Sequence, residues 1–130
     1  MADSSSGNPA RAIVAILDDN QSARESLAYR LAAEGFDVQL HSSPEALLEG
    51  DLSAPACLVT NYHMPAMNGL ELVSRLRERS IAVPFLLYTG DAAASLVVRA
   101  AALGGAVVHK PALGRELIER IHDAIRVSAP

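Results

Sequence analysis

Apolar residues in this chain gather into five short runs, at 12–17, 36–40, 57–60, 85–88 and 106–109. Runs of this length are typical of strands, and those without alternation suit strands covered on both faces. The second run is broken by Asp37 and Gln39 and so predicts a strand nearer an edge. Between the runs the apolar spacing changes to three and four. Asn20 or Ser22 caps a predicted helix to about Ala33, with Ala23, Leu27 and Leu31 on one stripe and Gly35 ending it. Ser43 followed by Pro44 opens a short helix to about Glu49. Asn68 and Glu71 have the spacing of a capping box, before a helix to about Arg79 whose buried face is Leu70, Val73 and Leu76. Asp91 caps a fourth helix to Leu103, ended by Gly104 and Gly105. A fifth, over about 114–127, buries Leu117, Ile121, Ala124 and Ile125.

Strands alternating with helices five times over predict an α/β domain, a five-stranded parallel sheet with helices on both faces. It occupies 11–128, after a disordered tail at 1–10 rich in Ser, Gly, Asn and Pro. No internal repeat and no second domain is visible, and 130 residues suffice for one core. The net charge of −4 offers no basic footprint, which argues against nucleic acid as a partner. No apolar run reaches membrane-spanning length, and the start lacks the plan of a signal peptide. The single Cys57 falls inside a predicted strand, where a small core residue is expected rather than a disulfide. These features point to a cytoplasmic setting with no membrane contact. His41, His109 and His122 are scattered, and no Cys/His cluster suggests zinc.

Open parallel sheets place their chemistry outside the carboxyl ends of the strands. Here those ends supply Asp18 and Asp19, then Asn61, Thr89 and Lys110. Lys110 is the only lysine against ten arginines, and it follows a buried strand. Asn61 opens a loop punctuated by Pro65 and Gly69. Each residue alone has a bland reading as a cap or a strand end. Two carboxylates, an amide, a hydroxyl and an ammonium converging on one sheet edge do not.

This set, with the Met64-Pro65-x-Met67-x-Gly69 loop and Lys110-Pro111, resembles the receiver domain of two-component response regulators over about residues 12–127. The resemblance implies a flavodoxin-like (βα)5 fold with strand order 2-1-3-4-5. It implies a Mg²⁺ ion held by Asp18, Asp19, the residue at 61 and the His63 backbone carbonyl. The phosphoacceptor position falls on Asn61. Thr89 and Lys110 would stabilise the phosphoryl group, and Lys110-Pro111 would be a cis bond. The implied partner is a sensor histidine kinase or phosphotransfer protein, and the implied role is signalling rather than enzymatic turnover.

Two positions depart from the pattern. Asn61 is close to isosteric with Asp but is a poor nucleophile, so no ordinary acyl phosphate is expected. With Asp18, Asp19 and Lys110 charged the pocket carries −1, and Mg²⁺ is expected to bind more weakly. The amide is either a replacement in an otherwise complete receiver or the natural residue of a pseudo-receiver that acts as an interaction module without phosphate. Val107 stands where the family often has an aromatic rotor, which predicts an altered switch. The fourth helix is apolar nearly all round, and part of it is expected in an interface. In receivers the face of helix four, strand five and helix five often makes dimers. The chain is expected to be a single-domain regulator ending near Pro130, or a receiver excised from a longer protein. The rival class is a flavodoxin-like enzyme, a phosphohydrolase or flavin carrier. Against it, no Gly-rich phosphate loop follows the first strand.

Overall fold

The computed structural model describes residues 11–90, 93–110 and 115–128. The strands are β1 (Ile13–Leu17), β2 (Asp37–His41), β3 (Cys57–Asn61), β4 (Phe85–Thr89) and β5 (Gly105–His109). Between and after them run α1 (Gln21–Ala33), α2 (Pro44–Glu49), α3 (Gly69–Glu78), α4 (Ala94–Ala102) and α5 (Arg115–Ser128). All four strand pairings are parallel and the order is β2-β1-β3-β4-β5. This is the flavodoxin-like order that the resemblance implies, and the parallel sheet that the strand and helix alternation predicts.

Alternation along each strand divides the core in two. Ala15, Leu17, Leu58, Phe85, Leu87 and Val107 face one side, where they pack with Leu47 of α2, Leu72, Val73 and Leu76 of α3 and Leu96 and Ala100 of α4. Val14, Ile16, Cys57, Val59, Leu86 and Val108 face the other, against Leu31 of α1 and Leu117, Ile118 and Ile121 of α5. Both faces are covered, which is why β1, β3 and β4 lack alternation and are apolar up to the polar residues at the ends of β3 and β4. β2 is an edge strand, as its polar interruptions predict, and Leu40 on it is exposed. Burial pushes the Cys57 thiol up to about 12, as expected of an inert core cysteine.

The helix starts follow their capping residues. Asn20 accepts from the Ala23 N–H and Ser43 from the Ala46 N–H. Asn68 and Glu71 form the reciprocal capping box at α3. At α4 the start is later than expected: Ala93 is the N-cap, without a side-chain cap bond. The anticipated cap Asp91, the tail at 1–10, Pro111 and Gly114 all lie outside the described residues. On α1, Ala23 is exposed rather than buried, and only Leu31 is fully covered. β5 begins one residue earlier than expected, at Gly105. A Cβ there would lie 2.5 Å from the Phe85 ring, so the bare backbone lets β5 pair closely with β4.

Candidate functional site at the strand ends

The chain adds β2 on one side of β1 and β3 on the other, and that switch point in strand order is where such folds open a crevice. Asp18 follows β1 directly, Asn61 ends β3, Thr89 ends β4 and Lys110 follows β5. Because β1, β3, β4 and β5 are successive neighbours, the four positions stand in a row along one edge.

Asp18 is almost wholly buried, at 5% exposure. Its Oδ1 accepts the Asn20 N–H at 2.9 Å, and its backbone carbonyl accepts from Arg24 Nη1 at 2.7 Å. The cap of α1 thus holds the carboxylate, and Arg24 in its first turn holds the backbone carbonyl. Asp19 is exposed on the same loop. Thr89 is buried, and its carbonyl accepts the Lys110 N–H at 2.8 Å, which ties the ends of β4 and β5 together. Val107 is buried on the α4 side of the sheet beside Leu87.

Asn61 is the hub. Its Oδ1 accepts from Lys110 Nζ at 2.8 Å. Its Nδ2 faces the His63 carbonyl at 3.4 Å and Asp18 Oδ1 at 3.5 Å. The orientation follows from chemistry, since an ammonium only donates and must meet the amide oxygen. The structure brings Asp18, Asn61 and Lys110 within reach of one another, and Thr89 ends the strand beside Asn61. Sequence reasoning missed Tyr88, whose ring lies 5.1 Å from Lys110 Nζ, and Arg24, which anchors the Asp18 carbonyl. Neither carries a signal in sequence: a strand-end tyrosine and a first-turn arginine are ordinary residues until the fold places them.

The divalent ion implied by the resemblance can be tested against these atoms. Asp18, Asp19 and the His63 carbonyl are hard oxygen donors of the kind Mg²⁺ takes. Asn61, expected among the ligands, instead aims an NH₂ group at two of those oxygens and gives its one oxygen to Lys110. Among the described residues no group of three or more His, Cys, Asp or Glu side chains is arranged to hold a metal. As folded, the donor set does not fit the ion, because the amide places hydrogen where oxygen is needed.

Comparison with known proteins agrees with the fold. Residues 14–122 match the response regulator receiver domain family. The chain is 36% identical over 116 residues to the transcriptional regulatory protein FixJ of Rhizobium meliloti (strain 1021), covering 85% of this chain and 55% of FixJ. It is 33% identical over 118 residues to the sensory transduction protein RegX3 of Mycolicibacterium smegmatis, covering 89% and 51%. The chain thus spans about half the length of the curated relatives it matches. The crystal structure of FixJ-N superposes with a TM-score of 0.83 at 32% identity, over 94% of this chain and 99% of that one. Chemotaxis protein CheY4 of Vibrio cholerae gives 0.80 at 24% identity, over 88% and 99%, a likeness of fold. Fold and family match converge, and the chain belongs to the response regulator receiver domain family.

Proposed function

We propose that this receiver acts in two-component signalling by contact with a histidine kinase or phosphotransfer protein, and that with Asn61 in place it accepts no phosphoryl group and forms no acyl phosphate. Receiver domains generally bind Mg²⁺ for phosphorylation and interact with such partners. The observation that carries the reading is the 2.8 Å contact between Lys110 Nζ and Asn61 Oδ1 at the end of β3. It is the pairing of acceptor position and lysine, with an amide in place of the carboxylate. Phosphoryl transfer needs an oxygen lone pair that attacks phosphorus while the bond to the donor nitrogen breaks. A carboxylate supplies that pair; an amide, whose nitrogen pair is delocalised into the carbonyl, gives no stable product. Thr89, buried at the next strand end, would then serve the phosphoryl group only in a carboxylate form. Val107, too small to act as an aromatic rotor, would weaken coupling from Thr89 to the α4 face.

The test is incubation with a small acyl-phosphate donor and Mg²⁺, read by intact mass. Labelling is expected for Asn61→Asp and not for the unmodified chain. Stable labelling of the unmodified chain would falsify the assignment of Asn61 as the acceptor position.

Output is proposed to run through protein contact. Ala94, Ser95, Val97, Val98 and Arg99 of α4 are all exposed, with Val98 at 68%. A second copy of the chain docking on α4, β5 and α5 would cover these valines. No helix among the described residues is long and apolar enough to cross a membrane. The negative net charge keeps nucleic acid out of the proposal for this domain. A longer chain carrying it, like relatives named transcriptional regulatory or sensory transduction proteins, would draw any other output from segments beyond the receiver.

A further inference from the structure

We propose that the Lys110 ammonium is the resident cation of this pocket, and that a divalent ion enters only by displacing it from the Asn61 amide. A carboxylate at this position would have two equivalent oxygens, one for the lysine and one for a metal. The amide has a single oxygen and an NH₂ group, and its two ends are not interchangeable. Lys110 Nζ engages the oxygen at 2.8 Å and so forces Nδ2 to the opposite side. There the NH₂ faces the His63 carbonyl at 3.4 Å and Asp18 Oδ1 at 3.5 Å. Its partial positive charge stands where a metal would draw on those oxygens.

Turning the amide over would offer oxygen to a metal but would set NH₂ against ammonium, donor against donor. The surroundings oppose any compromise. Lys110 is also held over the Tyr88 ring, 5.1 Å from its centroid, by cation–π attraction. Asp18 is pinned by the Asn20 N–H at 2.9 Å and by Arg24 at its carbonyl. Lysine and metal are therefore coupled negatively through one side chain. This coupling requires no phosphate, so its outcome is separate from that of the labelling test above.

A double-mutant cycle isolates it. Mn²⁺ binding is followed by the paramagnetic resonance signal of free Mn²⁺ in the unmodified chain, Lys110→Met, Asn61→Asp and the double variant. Removing a positive charge tightens binding in either background through its field alone. Competition for the amide adds to that only where Asn61 is present. The gain from Lys110→Met is expected to be about fivefold or more larger with Asn61 than with Asn61→Asp. Equal gains, a larger gain with Asn61→Asp, or no binding by any of the four overturn the proposal. A Mg²⁺ titration of the unmodified chain by NMR gives a second reading. Signals of the Lys110 and Asn61 side chains are expected to move with those of Asp18 and His63, at one midpoint. Complete silence, with shifts restored by Lys110→Met, is the limiting case of the same competition. Shifts at Asp18 and His63 while Lys110 stays still overturn it.

Discussion

Ala66 has a φ of 72°, and around it the Met67 N–H donates to the Pro65 carbonyl at 2.8 Å. That is a γ-turn of the positive-φ kind, which is rare and strained for a residue with a Cβ. Three residues on, Gly69 is required for a different reason. A Cβ there would lie 2.7 Å from the Asn61 carbonyl oxygen and 2.8 Å from Leu87 Cδ2. The two positions predict opposite outcomes. Ala66→Gly is expected to raise stability by about 0.5–1 kcal/mol, the left-handed cost less the added freedom of the unfolded chain. Gly69→Ala is expected to lower it by about 1–3 kcal/mol, because a backbone oxygen cannot move aside as a flexible side chain would. Urea denaturation of both variants checks the pair, and the same sign for both would contradict this account. The loop pattern was legible in sequence, including Gly69. Its cause was not, because the crowding atom is the carbonyl of Asn61, eight residues earlier, returned to contact by the loop.

Among the elements, the helix following β4 depends on a residue outside it. Arg77 on α3 donates from Nε and Nη2 to the Leu103 carbonyl at 3.0 and 2.8 Å, from Nη1 to Ile81 at 2.7 Å and from Nη2 to Val83 at 2.9 Å. It also stacks on Phe85 at 5.6 Å. Burial lowers the guanidinium pKa, yet an arginine stays charged, so all these are charge-assisted bonds. One side chain thereby ties the carbonyl end of α4 to the end of α3 and the start of β4. Lysine cannot reproduce the fork. Arg77→Lys is expected to cost about 2 kcal/mol and to speed hydrogen exchange in the last turn of α4 more than elsewhere. A uniform change in exchange would mean that the clamp does not act locally. The capping box of α3 is a smaller and independent contribution, with Asn68→Ala expected to cost about 1 kcal/mol. Asn68 and Glu71 announce themselves by spacing alone. Arg77 reads as one more solvated charge, because its partners lie at positions with no sequence relation to it.

For the whole molecule, two properties depend on assembly. His41 ends β2, half buried, and desolvation lowers its pKa from the ordinary 6.5. The unfolded chain therefore binds this proton more readily than the folded one. Its contribution to stability is present above 6.5 and falls as pH drops from there through the lowered folded value. Denaturation midpoints are expected to fall between about pH 7.5 and pH 5.5, with His41→Gln flattening the slope. An unchanged slope would place the dependence on other groups. The second property is the α4 surface. Val98→Glu is expected to shift any self-association toward monomer in sedimentation, at little cost in stability, since the side chain is 68% exposed.

The sequence by itself determined the fold class and the order of elements, and it named the strand-end residues from which the site is proposed. Apolar runs buried on both faces, capping residues and strand-end polar groups are local signals, and each belongs to the segment that carries it. The amide at the end of β3, from which the functional reading starts, was visible at once. Only the tertiary structure decided which way that amide points. Lys110, 49 positions along the chain, holds its oxygen, and its NH₂ turns toward Asp18 and the His63 carbonyl. The reason is that an amide has a donor end and an acceptor end but no preference between them until its neighbours are in place.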